Sequence, residues 1–337
     1  MNTTASLLPK EKTAAKIIKL DQQTIVFLIF IIIFIAFSIF LPGFLNTGNL
    51  VNILRSISVL GMLGLGMAVV VIGRGIDLSM VAILAVPTAL TMTLASTGVD
   101  LGLALIAGVA LAIVFGLLNG LLTAYAEVPA LLTTLATGLG LAGIGQSGIL
   151  QFDVVPWPDQ LNPIEWIGGT TLFGIPSSVI SFVVVAIAVS VFLKRTKLGL
   201  FIYAIGDNPN AARTTGMPVR PVMVLQYLIA ALIAVFAGLV MASSSAVMDT
   251  RIYNLSLIYN VVLVVVLGGV GLSGGRGGVW NVIVGTLLVG TILNGMTILN
   301  FSYDAQNLVK GVILLIAIAI DSVLNPRNEE TAQQGDI

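Results

Sequence analysis

Long uncharged stretches, separated by single charged residues or short charged segments, constrain this chain more than any other feature. A helix needs about 20 predominantly apolar residues to cross about 30 Å of hydrocarbon. Nine uncharged windows and one further apolar run reach or approach that length: 22–54, 56–73, 78–99, 101–126, 128–152, 166–193, 221–248, 252–275, 277–303 and 308–323. We therefore predict ten membrane-spanning segments.

Composition excludes a water-soluble globule. The chain is 57% hydrophobic and 9% charged, whereas about 25% of residues are charged in soluble domains, and its mean hydropathy is +1.08. Backbone groups inside a bilayer must pair within the protein, which permits helices or a closed β-barrel. The windows do not alternate with a period of two. We therefore predict an all-α integral membrane protein of about ten helices, some of them broken by Gly-rich segments.

The distribution of Lys and Arg predicts the orientation, because cytoplasmic loops carry an excess of these residues. With the N-terminus in the cytoplasm, 12 of the 15 lie toward the inside and three, Arg55, Arg251 and Lys310, lie toward the outside. An even number of spans returns the C-terminus to the cytoplasm. Lys310 lies within the last apolar run, where its long stem can reach the interface. We expect cytoplasmic tails at 1–22 and 325–337 around a transmembrane domain at 23–324.

The missing residue types exclude most enzyme chemistry. The chain contains no Cys and no His, so it lacks thiol nucleophiles, imidazole bases and the usual zinc ligands. Its formal net charge is zero, which leaves no basic face for nucleic acid. No G-x-x-x-x-G-K-S/T sequence occurs, so we expect no bound nucleotide, metal or other cofactor on this chain. The G-x-G-x-x-G pattern at 269–274 lacks the acidic residue that a dinucleotide site requires about 20 residues further on.

Neutral polar side chains occupy the predicted spans, where ion-driven carriers usually place acids or bases. These amides and hydroxyls can exchange hydrogen bonds with an uncharged polar solute, or they can hold neighbouring helices together. Both roles are open for any one of them. The candidates for a translocation pathway are Asn119, Thr137, Gln146, Asn260 and Asn294.

Glycines recur at helical spacing, as in the G-x-x-x-G pair Gly116 and Gly120. Small residues at this spacing allow close packing of membrane helices. A Gly-rich segment follows the apolar run at 264–267, and we predict a turn there with Arg276 on the cytoplasmic side.

The longest predicted cytoplasmic loop, 194–220, contains signals for a short helix. Asp207 or Asn208 can cap its start, Pro209 fits the first helical position, and Gly216 can adopt the left-handed conformation after its end. A helix this short is not stable alone, so another surface must hold it.

Three residues of that short helix suggest what could hold it. Ala211 and Ala212 allow close approach, and Arg213 offers a charge to a partner. The alternative is a connector that rests on the protein's own inner surface. On the outside, the loop 151–174 has three acidic residues and no Lys or Arg. It is either a docking surface for another protein or a solvated cap.

The segment Gly75-Ile-Asp77-Leu-Ser79 resembles the G-I-D-L-S signature of permease subunits of ribose-type (monosaccharide) ABC importers, within the branched-chain amino acid and ribose permease superfamily. The loop at 196–216 is similar to the conserved cytoplasmic loop of that family, and the region 264–321 is similar as well. The resemblance covers about 46–321 and carries three motifs in the family's order.

The resemblance implies a set of partners and a location. The partners are an ABC ATPase subunit that binds ATP and Mg, a periplasmic or extracellular sugar-binding protein, and a second permease that is either another copy or a paralogue. The location is the bacterial inner membrane, where the chain also contacts lipid. The resemblance also identifies 209–215 as a candidate coupling helix gripped by the ATPase, and it implies inward transport of a neutral monosaccharide or related polyol. The coupling residues it implies are Asp207, Asn208, Pro209, Ala211, Ala212, Arg213 and Gly216.

The residues before the signature depart from the family pattern, because members usually read T-G-G before I-D-L-S, whereas this chain has Gly73-Arg74-Gly75. We expect Asp77 to cap the third helix and to pair with Arg74, which is a structural role. The departure argues against copying a ribose specificity onto this chain.

There are three alternatives to a sugar importer subunit. An ion-coupled secondary transporter of a small polar solute would need no ATPase. A permease for a branched-chain amino acid or a nucleoside would share the family, but an amino acid requires countercharges that the spans lack. A membrane enzyme lacks acid–base residues.

Overall fold

The protein is described here by a computed structural model that covers residues 22–146, 153–254 and 257–324. Nearly all of the predicted tails at 1–22 and 325–337 lie outside these residues. The described chain is helical in the main: α1 (Gln22–Phe40), α2 (Thr47–Ile72), α3 (Met80–Ser96), α4 (Leu101–Ala124), α5 (Ala130–Ile144), α6 (Ser177–Arg195), α7 (Lys197–Asp207), α8 (Pro209–Thr214), α9 (Val219–Ser245), α10 (Leu257–Leu267), α11 (Val279–Ile298) and α12 (Tyr303–Leu324).

Strands are few and short. β1 (Val154–Pro156) pairs with β4 (Val247–Asp249), and β2 (Thr171–Leu172) pairs with β3 (Ile175–Pro176), both antiparallel. Short 3₁₀ helices span Asp159–Ile167 and Thr250–Asn254. Each sheet has two strands, so the prediction of an all-α membrane protein is confirmed.

Within the described residues, seven helices are long and apolar enough to cross a membrane: α1, α2, α4, α6, α9, α11 and α12. The shorter apolar helices α3, α5 and α10 lie in the remaining three predicted windows. α10 ends at Leu267 because residues 268–278 are non-helical, with positive φ at Gly269, Gly274, Gly275 and Gly277. A predicted window therefore corresponds to a helix plus a loop.

Two predicted boundaries are wrong. Arg55 was expected at a span edge, but α2 begins at Thr47, where the Asn46 side chain accepts from the N–H of Gly48. Arg55 thus lies in the third turn of a membrane helix. The sixth window was expected to begin at Trp166, but Trp166 lies in the 3₁₀ helix and α6 begins at Ser177. Charge and hydropathy do not detect these ends, because a cap or turn sets the end of a helix.

The connections between helices lie at two opposite faces. We call the end that carries α8 the α8 face, and it includes the non-helical segments at 73–79 and 268–278. We call the other end the β face, because it carries β1 and β4 together with the start of α2. Lys310 is buried in α12, and its Nζ lies 5.7 Å from the Tyr303 ring centroid, toward the β-face end of that helix.

α9 lies at the centre of the bundle and packs against α2, α3 and α4. Its contact with α4 depends on Gly116 and Gly120, since a Cβ at either glycine would lie 2.7 Å from an atom of α9. The predicted packing role of this glycine pair is therefore confirmed. In membranes, where lipid tails are as apolar as leucine, such close approach is a main source of helix association.

We predict that Gly238→Ala lowers the thermal stability of the purified protein. A Cβ at Gly238 in α9 would overlap the Leu84 carbonyl oxygen and the Thr88 hydroxyl of α3, and such overpacking costs about 1–3 kcal/mol. Gly140→Ala is the matched control, because no heavy atom lies within 4 Å of its Cβ position. Equal melting temperatures for the two variants in detergent would contradict this packing.

Candidate functional site

The short helix α8 forms where the sequence predicted it. The side chain of Asn208 accepts from the backbone N–H groups of Asn210 and Ala211, both at 3.0 Å. Pro209 occupies the first helical turn. Of the two predicted caps, Asn208 is the one the structure uses, and Asp207 instead ends α7.

The C-terminal end of α8 is capped by backbone hydrogen bonds. The N–H of Gly216 donates to the Arg213 carbonyl at 3.0 Å, and the N–H of Met217 donates to the Ala212 carbonyl at 3.1 Å. Gly216 has φ +78°, so the pair of bonds forms a Schellman motif around a left-handed glycine. Caps at both ends fix the conformation of this six-residue helix.

The two alanines of α8 face opposite ways. We predicted close approach at both, but Ala212 is only 3% exposed because it packs into the chain's own core. Ala211 and Arg213 are exposed, as is Asp207. Ala211 and Arg213 are therefore accessible from outside the chain, while Ala212 holds α8 on the helix bundle.

α7 connects α8 to the ends of the spans. The N–H of Gly275 donates to the carbonyl of Ile72, the last residue of α2, at 2.7 Å. A Cβ at Gly275 would lie within 3 Å of the Asp207 backbone, and one at Gly206 would overlap the Ile72 carbonyl. The Tyr203 hydroxyl donates to the Gly277 carbonyl at 2.8 Å. A displacement of α7 is thus transmitted by direct contact to α2 and to the 268–278 segment.

The signature segment lies next to two predicted pathway residues. Asp77 Oδ1 accepts from the Ser79 N–H at 2.9 Å and from the Ser79 hydroxyl at 2.5 Å. Asn119 of α4 donates to the Ser79 hydroxyl at 2.7 Å, and Thr137 of α5 donates to Asn119 at 2.5 Å. All four side chains are buried. We call Asp77, Ser79, Asn119 and Thr137 the buried network.

The buried network ties α4 and α5 to the segment that begins α3. Asp77 was predicted to cap α3, but its carboxylate accepts from Ser79, the residue immediately before that helix. Gly75 is needed here because a Cβ would lie 2.6 Å from the Tyr227 hydroxyl oxygen. Arg74 has φ +69°, and its side chain packs against Gly274.

A cavity of about 570 Å³ opens at the other end of the bundle, and we call it the polar cavity after the amides, hydroxyls and single Arg in its otherwise largely apolar wall. It lies between the β-face halves of α2, α9, α10 and α11. Its polar lining includes Asn49, Asn52, Arg55, Ser56, Ser244, Ser245, Asn260, Asn294 and Thr297. Side chains that can donate and accept hydrogen bonds thus line a space of the size that small-molecule sites usually have, about 300–1,000 Å³.

The structure divides the five predicted pathway residues. Asn260 and Asn294 line the cavity, whereas Asn119 and Thr137 belong to the buried network. Gln146 is exposed at the end of the described segment 22–146 and does not line the cavity. Whether any of the five contacts solute stays a prediction.

Sequence reasoning missed the α2 wall of the cavity. Asn49, Asn52 and Ser56 recur at helical spacing, so they form a polar stripe on one side of α2 that the sequence could have revealed. Asn49 and Asn294 exchange two side-chain hydrogen bonds, at 3.1 and 2.8 Å. This pair joins α2 to α11 at the cavity wall.

An exposed charge cluster lies on the β face beside the cavity. Arg251 donates to Asp249 at 3.0 Å and lies 3.8 Å from Asp153. The hydrogen bond from Arg251 holds the pKa of the Asp249 carboxyl below its usual range. Solvent screens exposed pairs of this kind, so the cluster shapes the surface more than it stabilises the fold.

Comparison with known proteins gives a consistent result. Residues 49–318 match a family described as branched-chain amino acid transport system, permease component. The chain is 36% identical over 307 residues to the ribose import permease protein RbsC of Bacillus subtilis (strain 168), covering 88% of this chain and 91% of the relative. It is 30% identical to RbsC of Escherichia coli (strain K12), covering 90% and 94%, and 30% identical to the galactofuranose transporter permease protein YtfT of the same strain, covering 82% and 80%. No solved structure matches significantly.

We predict that Asn119→Ala and Thr137→Ala are not additive in stability. Each substitution removes one partner of the 2.5 Å hydrogen bond and leaves a buried polar group unpaired. Either substitution should therefore lower the free energy of unfolding less when the other is already present than it does in the wild-type chain. The coupling expected for residues in one network is about 0.5–3 kcal/mol. The control pair, Asn119→Ala with Asn294→Ala, shares no hydrogen-bond partner and should be additive. Additive losses in both double mutants would contradict the network.

Proposed function

The chain belongs to the family of permease components of branched-chain amino acid transport systems, and on that premise we propose that it is the membrane-spanning subunit of an ABC importer for a neutral monosaccharide or related polyol. ATP is hydrolysed on a partner subunit, and this chain provides the path. One observation carries the proposal: two features lie at opposite faces of the bundle. At one face is the capped helix α8 with its exposed Ala211 and Arg213, and at the other is the polar cavity.

Two lines of support point to a sugar. The relatives with the printed names ribose import permease and galactofuranose transporter permease align with most of the chain. The cavity lining contains amides, hydroxyls and one Arg but no carboxylate among its residues. A branched-chain amino acid carries an ammonium group that a carboxylate would normally pair with, so the lining favours the sugar.

The proposed assembly has a partner on each face. The ABC ATPase, with its ATP and Mg, grips α8, and a periplasmic or extracellular sugar-binding protein docks on the β face. A second permease, either another copy or a paralogue, completes the path, and lipid surrounds the apolar helix faces. In this arrangement the ten apolar helices all cross the bacterial inner membrane, with both tails in the cytoplasm.

The proposed mechanism follows the contacts between the two faces. Closure of the ATPase subunits displaces α8, which the Ala212 contact and both caps make a rigid unit. α7 moves with it and pushes the end of α2 through the Ile72 and Gly275 contact. Because α2 also forms a wall of the cavity, its displacement changes the cavity's opening.

The rival function is an ion-coupled secondary transporter. We expect sugar uptake to stop when cells are depleted of ATP and to persist, with ATP maintained, when an uncoupler collapses the ion gradients. Purification in mild detergent should recover an ABC ATPase with the permease. Uptake that survives ATP depletion but stops with the uncoupler would establish the rival instead.

We predict that Ala211→Glu and Arg213→Glu abolish sugar-stimulated ATP hydrolysis and uptake while membrane insertion is retained. Both residues are exposed on α8, so the changes alter the docking surface and leave the core intact. Arg195→Glu is the matched control, because it reverses an exposed charge at the end of α6 on the same face. Normal coupling in both α8 variants would refute docking at this helix. Ala212→Asp is a weaker test, since it places a carboxylate in the core.

A further inference from the structure

Arg55 is a charged side chain in the third turn of a membrane helix. A charge in hydrocarbon is energetically costly, so intramembrane arginines face a protein interior or water. Arg55 lines the polar cavity, and no acidic residue is among the lining side chains. Its Nε is buried and makes no hydrogen bond with any described residue.

An acceptor in the same cavity is also unsatisfied. Asn260 Oδ1 is buried and has no hydrogen-bond partner in the part of the chain described. Over 90% of buried polar groups in native proteins are paired, so each exception calls for an explanation. The cavity thus holds one orphan donor, at Arg55, and one orphan acceptor, at Asn260.

The cavity wall also carries exposed polar side chains. Asn52, Ser56, Ser245 and Thr297 are exposed, although they lie in the spans or at their ends. Side chains like these avoid lipid, and non-lipid surroundings at this depth mean a water-filled space or another protein.

We propose that this cavity is a solute-binding site in the permease itself, for a neutral polyhydroxylated solute, with Arg55 and Asn260 as its principal donor and acceptor. The inference rests on the proposed function and adds a site to it. A hydroxyl group both accepts and donates, so a sugar satisfies Arg55 and Asn260 together. The planar guanidinium presents a fork of N–H groups that suits two neighbouring hydroxyls.

Two features of the wall orient such a solute. Asn49 donates to the Phe44 carbonyl at 2.8 Å and is paired with Asn294, so these two amides are held in place before solute enters. Ile53, Leu60 and Leu257 give the cavity an apolar side, against which the C–H face of a sugar ring can lie. A simple anion would use Arg55 and leave the Asn260 acceptor unpaired.

The chain's lack of cysteine allows a direct test, because any introduced thiol is unique. Ser56→Cys places a thiol in the cavity, and Asn52→Cys is a second variant in case the first does not fold. Thr97→Cys is the matched control, since Thr97 is exposed at the same face but does not line the cavity. The permease, with its co-purified partners in proteoliposomes, is treated with a membrane-impermeant thiol reagent. The probes are D-ribose, D-galactose and L-leucine.

We expect at least one of the two sugars to slow modification of the cavity thiol several-fold and to leave Thr97→Cys unaffected. Adding Arg55→Gln or Asn260→Leu should abolish this protection, and Arg55→Lys, which keeps the charge without the fork, should restore part of it. Three results would each overturn the proposal. They are absence of labelling in both cavity variants, protection that Arg55→Gln and Asn260→Leu leave unchanged, and protection by L-leucine alone.

ATP-dependent uptake by the same proteoliposomes is measured with the sugar-binding protein. This measurement distinguishes failure of the cavity site from failure of the proposed importer function. Uptake of a sugar that fails to protect the cavity thiol would refute this site and leave the importer function standing. If no neutral sugar is taken up while L-leucine is, the proposed function fails as well.

Discussion

The high cost of an unpaired polar group in hydrocarbon determines the arrangement of this protein. Backbone groups pair within helices, and many buried hydroxyls and amides of the spans bond a backbone carbonyl or another side chain. The buried network satisfies this constraint by pairing, since Ser79, Asn119 and Thr137 bond one another in sequence. The polar cavity is an exception, because Arg55 Nε and Asn260 Oδ1 are buried there without a partner among the described residues. Elsewhere the spans present mostly apolar side chains and glycines, and 9% of the 337 residues are charged.

The same constraint explains where the chain departs from helix. The segments 73–79 and 268–278 are non-helical, and both lie at the α8 face, where the Arg74 side chain packs against Gly274 and the Gly275 N–H bonds the carbonyl of Ile72 at the end of α2. Irregular backbone at membrane depth is tolerated only where protein or a cavity covers it. Here α7 contacts the end of α2 through Gly206, and the 268–278 segment through Gly206 and Tyr203. The helix that precedes α8 therefore touches one non-helical segment and the helix end from which the other begins.

Sequence patterns predicted the elements better than their ends. The all-α class, the capped helix at 209–214 and the Gly116–Gly120 contact follow from local chemistry, because caps and close packing require particular residues. Arg55 was misplaced because hydropathy treats any charge as a boundary, whereas a helix continues through a charge that faces a cavity. The roles of Asn119 and Asn294 look alike in sequence, and only the tertiary packing separates a buried network from a cavity wall. The inward position of Ala212 is likewise a property of packing, since two adjacent alanines are indistinguishable by composition.

The central claim is that force from an ATPase enters this protein through the exposed side of α8. Its most direct test is a single thiol at Ala211, introduced as Ala211→Cys, in membranes that contain the co-purified ATPase, with a short bifunctional cross-linker. If the ATPase docks on α8, Ala211→Cys gives a cross-linked adduct between the permease and the ATPase, and Thr97→Cys at the β face gives none. An adduct from Thr97→Cys with none from Ala211→Cys would contradict the claim.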